Sequence, residues 1–187
     1  MVNSQEALRQ YIKADRDRYC PNFKLPWIIR VMIGEEQTRI IHYLKIFRKY
    51  EYYINTQGNS IFRRLLTHFY HIRHLRNCVK LNLYLYPNTI GPGIRIVHLG
   101  GRIELNAASI GKNFTVTAGV VVGKKDNDDN KATIGDNVEL TLGCKVIGKV
   151  NIGDNSIICQ NSVVIKDIPA NSLASGVPIS IIKPLKR

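Results

Sequence analysis

The chain predicts a left-handed parallel β-helix preceded by a basic helical region, and two observations carry that prediction. Nine aliphatic residues keep one six-residue frame: Ile110, Val116 and Val122, then Ile134, Leu140, Val146, Ile152, Ile158 and Val164. A period of six fits neither a helix nor a strand, so it belongs to a repeating coil. Small residues keep the same frame. Gly111, Thr117, Gly123, Gly135, Thr141, Gly153 and Cys159 follow the aliphatic by one place, and Val120, Val138, Cys144, Val150, Ser156 and Ser162 by four. Each hexapeptide then lays a short strand on one wall of a triangular prism, aliphatic side chain inward. Stacked coils bury one apolar column, and the left-handed winding departs from the usual right-handed crossover between parallel strands.

Residues 1–80 lack the repeat and read as a helical region, with the β-helix domain over 81–187. Asn3 with Glu6 suggests a capping pair opening a helix to about Tyr19. Pro21 and Pro26 break the chain, and a second helix is expected from Trp27 to about Asn55. Thr56-Gln57-Gly58-Asn59 is turn chemistry. A third helix follows, with Ile61, Phe62, Leu65, Leu66, Phe69, Ile72 and Leu75 at helical spacing; its apolar face needs a partner. From Leu81 the strand pattern takes over. Ile90 and Ile96 keep the step of six, two residues out of frame with Ile110, so the solenoid slips around His98-Leu99-Gly100-Gly101. A second irregularity, the polar run Lys124–Thr133, extrudes a loop without changing the frame. Ile168-Pro169 ends the repeats, and Ala174 to Pro178 closes the prism.

The net charge is +13, and residues 1–80 hold most of it, with 15 Lys/Arg against 6 Asp/Glu. Phosphate-bearing molecules or an anionic membrane surface suit such a balance. No zinc-finger spacing or RNP-like stretch accompanies it, so nucleic acid is not an expected partner. Cys20, Cys78, Cys144 and Cys159 form no CxxC, and the last two fill small-residue slots of the coil. The polar start and the absence of a long apolar run point to a cytoplasmic protein, with the inner face of the membrane as a further possibility.

Only one histidine, His98, lies in the prism, at the frame slip. It reads either as an outward polar corner residue or as a general base for a hydroxyl; no partner for it is visible. His68, His71 and His74 stand three apart on the third helix among arginines, which reads as a solvated basic face, and no metal site is expected. Asp126, Asp128 and Asp129 lack the Gly and Glu of a calcium loop.

The stretch Ile90-Gly91-Pro92-Gly93-Ile94-Arg95-Ile96-Val97-His98 resembles the start of the catalytic region of serine acetyltransferases. Ile110-Gly111-Lys112-Asn113, Ile134-Gly135-Asp136-Asn137, Val146-Ile147-Gly148 and Ile168-Pro169-Ala170 through Pro178 continue the match to hexapeptide acyltransferases over about the last hundred residues. The resemblance implies a homotrimer with active sites between neighbouring prisms. It implies acetyl-CoA as co-substrate, and His98 as the base for direct transfer without metal or covalent intermediate. It also implies a pantetheine groove beside Gly123, Leu142 and Gln160, with Lys166 and Lys183 as candidates for the CoA phosphates. Oxyanion donors are expected from backbone N–H groups near the Gly123 turn. Tyr86, Arg102, Glu104 and Asn106 flank His98 and are candidates to orient it or read the acceptor.

Two departures bear on the acceptor. Val97 stands where the serine-using enzymes carry Asp, and Asp128-Asp129-Asn130-Lys131 stands where they carry an Arg-His pair for the amino acid's carboxylate. The chain also ends at Lys186-Arg187, without the extension that docks onto cysteine synthase. These changes favour a carbohydrate hydroxyl, free or lipid-linked, in surface polysaccharide biosynthesis. Serine O-acetylation is the alternative, and a non-catalytic trimeric scaffold is a third reading.

Overall fold

The computed structural model describes residues 1–19, 26–58, 60–126 and 129–185. The expectations at Cys20, Pro21, Asn59, Asn127, Asp128 and Lys186–Arg187 lie outside the described residues. Four helices come first: α1 (Gln5–Asp17), α2 (Trp27–Met32), α3 (Glu36–Asn55) and α4 (Ile61–Leu81). Ser4, not Asn3, caps α1, its hydroxyl accepting the Ala7 N–H at 3.0 Å. Three residues is the separation at which a cap oxygen reaches an orphan N–H of the first turn. The long helix expected over 27–55 is two helices. Gly34 adopts φ 70°, a left-handed conformation that interrupts a helix. Glu35 then starts α3 by accepting the Thr38 N–H at 3.0 Å, while Arg30 holds the same carboxylate at 2.9 Å.

The rest of the chain is a left-handed parallel β-helix. Its first wall stacks β1 (Leu83–Leu85), β3 (Ile103–Leu105), β6 (Val121–Gly123), β9 (Lys145–Ile147) and β12 (Val163–Val164). The second holds β4 (Ser109–Ile110), β7 (Thr133–Ile134) and β10 (Asn151–Ile152). The third holds β2 (Arg95–Ile96), β5 (Thr115–Val116), β8 (Glu139–Leu140), β11 (Ile157–Ile158) and β13 (Ser172–Ser175). A final strand, β14 (Ser180–Pro184), folds back antiparallel on β13. All nine aliphatics of the repeat are 3% exposed or less, and the residues four places on are buried with them.

The three edges of the prism differ in how much variation they carry. Between the second and third walls every coil spans six residues, from Ile90–Ile96 to Ile168–Ala174. Asn113, Asn137, Asn155 and Asn171 turn that edge with φ between 54° and 57°. Each of the first three donates its side-chain amide to the next one's Oδ1 at 3.0 Å. Between the first and second walls, twelve residues separate Val122 from Ile134 where six separate Val146 from Ile152, so the extruded loop sits here. Between the third and first walls, nine residues separate Ile96 from Leu105, against six from Val116 to Val122. The two-residue slip read near His98 is thus a three-residue insertion at that corner. A step of only five from Leu105 to Ile110 removes one residue again.

The helices complete the open end of the prism. The core is one cluster running from Tyr43, Leu44 and Phe47 into Leu83, Ile94 and the column beyond. The exposed backbone of the first coil would otherwise be an unpaired sheet edge. Asp15 accepts the N–H groups of Gly93 (2.8 Å) and Ile94 (3.1 Å), and the Tyr19 hydroxyl accepts that of Ile96 (2.8 Å). Arg48, fully buried, donates to the Ile90 and Gly91 carbonyls at 2.9 and 2.7 Å and pairs with Asp15 and Glu51. Burial works against its charge, but Asp15 and Glu51 more than offset this and raise its pKa. Burial outweighs Arg48 at Glu51, whose pKa is raised.

Helix α4 packs on α3 in an unexpected orientation. It turns Thr67, His74, Cys78 and Leu81 inward, and most of its large apolar residues outward. His74 therefore lies in the core rather than on a solvated basic face. It stacks on Tyr43 and Tyr50 with centroids 5.8 and 5.2 Å away, and its Nδ1 is 3.3 Å from the Tyr43 hydroxyl. Burial, with a smaller push from His71, lowers its pKa to about 4.

Candidate active site

The edge between the third and first walls is built from turns that repeat coil by coil. The strand register places Ile96, Val116, Leu140 and Ile158 side by side. The Val97 to Val116, Thr117 to Leu140 and Thr141 to Ile158 backbone bonds carry this stacking one residue further, so His98, Ala118, Leu142 and Gln160 each follow it onto the same edge, where the widened first turn brings Gly100 beside Ala118. Neighbouring coils lie about 4.8 Å apart, so Leu142 and Gln160 stand two and three coils from His98 along that edge. Gly101, Gly119 and Gly143, with φ from 66° to 73°, make this turn in successive coils. Five residues lead from Ile96 to Gly101 where three lead from Val116 to Gly119, so the turn is widened in the coil that carries His98.

His98 projects outward, its side chain 67% exposed. Its Nδ1 lies 3.2 Å from Oε2 of Glu36, the first residue of α3, and the other Glu36 oxygen accepts the Leu99 N–H at 2.6 Å. An ionised carboxylate only accepts, so this contact puts the proton on Nδ1 and leaves the Nε2 lone pair facing outward. A carboxylate on Nδ1 is the geometry that orients the ring of a histidine general base. Sequence reasoning missed Glu36. It lies 62 residues upstream, and its position follows from the Gly34 break and the Glu35 cap, neither of which signals a histidine. Val97, the residue before His98 in sequence, has no carboxylate; the carboxylate that contacts His98 comes from the helical region.

The flanking candidates form a separate group. Glu104 accepts from Arg102 Nε at 2.9 Å and from the Tyr86 hydroxyl at 3.0 Å, and the Arg102 guanidinium stacks 4.2 Å over Tyr84. Burial first, then the bond to Glu104, raises the Tyr86 pKa, and the Glu104 bond raises that of Arg102. Both Glu104 oxygens are engaged, and the contact His98 makes is with Glu36. Asn106 does not join either group. Its N–H bonds Val122, which places it beside Gly123 at the edge between the first and second walls.

The cofactor candidates divide in the same way. Leu142, 48% exposed, and Gln160 share the His98 edge. Gly123 and, two coils on, exposed Lys166 lie on the edge with Asn106. Lys183 is exposed on β14, opposite Leu173 of the third wall. Within one chain, Gly123 and the Leu142–Gln160 pair therefore stand at opposite ends of the first wall. Among the described residues no cluster of three or more His, Cys, Asp or Glu side chains could hold a metal. Beside His98 on the third wall, Arg18, Arg95, Val97, Thr115 and Glu139 line a depression of about 440 Å³, with Arg18 donating to the Thr115 hydroxyl at 2.7 Å.

No family model matches the chain. It is similar to a serine acetyltransferase of Staphylococcus aureus strain Mu50, 36% identical over 96 residues, which are 50% of this chain and 45% of that protein. A serine acetyltransferase of Mycobacterium tuberculosis strain H37Rv is 35% identical over 95 residues, 50% of this chain and 42% of the relative. These matches thus span less than half the length of the curated relatives. Among solved structures, serine acetyltransferase from Brucella abortus strain S19 superposes with a TM-score of 0.70 at 22% identity, covering 96% of this chain and 68% of that one. The soybean apoenzyme gives 0.70 at 22% identity over 94% and 69%. A serine acetyltransferase in complex with CoA gives 0.66 at 22% over 94% and 68%. At these identities the structures establish the fold: the chain has the left-handed β-helix and helical N-terminal region of serine acetyltransferases.

Proposed function

We propose that the chain is an acetyl-CoA-dependent O-acetyltransferase in which His98 is the general base. The observation that carries this reading is the outward-facing His98, held by Glu36 at the head of the edge that also presents Leu142 and Gln160. His98 Nε2 takes the proton as the acceptor oxygen attacks the thioester carbonyl carbon. The tetrahedral intermediate collapses with cleavage of the carbon–sulfur bond, and the proton returns from His98 to the CoA sulfur. Glu36 orients the ring and stabilises the imidazolium while it lasts. The pantetheine groove is proposed to run beside Leu142 and Gln160, with Lys166 and Lys183 as candidates for the CoA phosphates.

A trimer follows from the same reading. Gly123 and the Leu142–Gln160 pair occupy different edges of one prism, so they line a single groove only when they come from neighbouring subunits. The proposed division of the chain at residues 80/81 is supported by the change from α4 to β1. The buried contacts of Asp15 and Arg48 bind the two parts together.

For the acceptor, the relatives' names favour serine, and the Glu36–His98 contact offers His98 a carboxylate although Val97 stands beside it in sequence. A carbohydrate hydroxyl is the second reading, favoured by the extruded loop 124–133, which contains no arginine or histidine and whose three lysines are offset by three aspartates. Release of CoA thiol from acetyl-CoA, measured with serine and with glycan repeats as acceptors, tests both. Turnover with serine at low concentration supports the first, and turnover with a glycan alone supports the second. His98→Ala should lower either rate by about 10²–10⁴-fold with the melting temperature unchanged. Substantial residual activity in that variant removes His98 from the mechanism.

A further inference from the structure

We propose that the outer face of α4 docks the protein on an anionic lipid bilayer. The helix has 21 residues and is therefore about 31 Å long. Ile61, Phe62, Leu65, Phe69, Ile72 and Val79 form a stripe along it, with exposures from 49% for Phe69 to 72% for Val79. At 100° per residue this stripe is centred opposite the inward face of Thr67, His74 and Cys78. A contiguous apolar surface of this length is unusual on a soluble chain and marks an interaction site.

The charges on the helix identify the occupant. Arg64, Arg76 and Lys80 are exposed within or beside the stripe, and Arg73 packs over the Phe69 ring at 5.6 Å. Residues 61–81 contain no Asp or Glu at all. A second copy packed face to face would set these cations against their own duplicates, with no acid on either helix to pair them. An anionic bilayer neutralises them instead, while the apolar stripe enters the boundary between headgroups and acyl chains and long basic side chains reach back to the phosphates. No helix among the described residues is long and apolar enough to cross the membrane, so this contact lies along the surface.

Co-sedimentation of the full-length protein with vesicles, at low and high salt, tests the proposal without any assay of catalysis. Vesicles of phosphatidylcholine containing phosphatidylglycerol should retain the protein at low salt more than about tenfold better than pure phosphatidylcholine. High salt should release it. Exchanging Arg64, Arg73, Arg76 and Lys80 for Gln, or Leu65, Phe69 and Ile72 for Ser, should abolish retention while leaving the circular-dichroism melt in place. Retention that is absent at low salt, or equal on the neutral vesicles, overturns the proposal. So does a loss of oligomer mass in the Ser variant by light scattering without lipid, which would assign the face to a second copy. Because none of these readouts involves acetyl transfer, failure here leaves the proposed activity untouched, and the reverse also holds.

Discussion

The two faces of the helical region invert the ordinary arrangement of a soluble protein. On the side toward the prism lie Asp15, Arg48 and Glu51, all charged and nearly inaccessible; on the far side of α4 lie Ile61, Phe62 and Leu65, each more than 60% exposed. The difference reflects what each face meets. The inward face covers the end of a β-helix, whose first coil presents backbone N–H and C=O groups that no further strand pairs, and ionised side chains satisfy them with strong, directional bonds. The outward face is left uncovered by the described residues. Polar groups can thus mark a permanent internal contact and apolar groups an interchangeable external one.

Breaking the inward face should have the largest effect. Arg48→Ala leaves Asp15 and Glu51 buried without their cation and strips two carbonyls of a donor, which should cost about 3–5 kcal/mol. Denaturant unfolding reads this directly, and a loss below about 1 kcal/mol would mean that the helices do not hold the prism end as the contacts indicate. Glu36→Gln tests the contact through which the helical region reaches His98. Because the contact is half-exposed, the expected loss is about tenfold in turnover, well short of the loss expected for His98→Ala, with little change in stability. A variant as active as the parent would make the contact incidental.

The smallest effect concerns His74, the buried histidine on α4. Its folded pKa of about 4 lies below the ordinary 6.5, so between these values the unfolded chain binds a proton that the folded chain refuses. Stability therefore falls as pH drops from about 6.5 towards 4 and levels off beneath that. His74→Phe should reduce this acid-side slope of the melting temperature. An unchanged slope would show that other groups set it.

The β-helix was legible because its repeat belongs to the chain itself: a residue every six that must face the axis leaves its period in the sequence, and all nine are buried. The corner at His98 was legible for the same reason, since an insertion shifts the frame. Glu36 was not, because its approach to His98 depends on how α3 packs against the prism, and that packing has no period. The facing of α4 was not legible either. Seven apolar residues at helical spacing identify a stripe, but which side of the helix meets the core is decided by shape. Tyr43 and Tyr50 accept the flat ring of His74, and the apolar stripe is left on the other side.

The asparagine ladder between the second and third walls has a consequence for how such a prism can be altered. Every coil keeps six residues there, while the other two edges absorb an extra three at His98 and an extra six at the loop. The amides of Asn137 and Asn155 both donate to one neighbour and accept from the other, so an insertion at this edge would cut a chain of bonds running from Asn113 to Asn171. The ladder acts as a spine of fixed pitch, and new segments can be grafted at the other two edges without disturbing the alignment of coils above and below. Both the candidate catalytic corner and the extruded loop sit on those permissive edges. The fold thus confines its freedom to vary to the places where a substrate could be met.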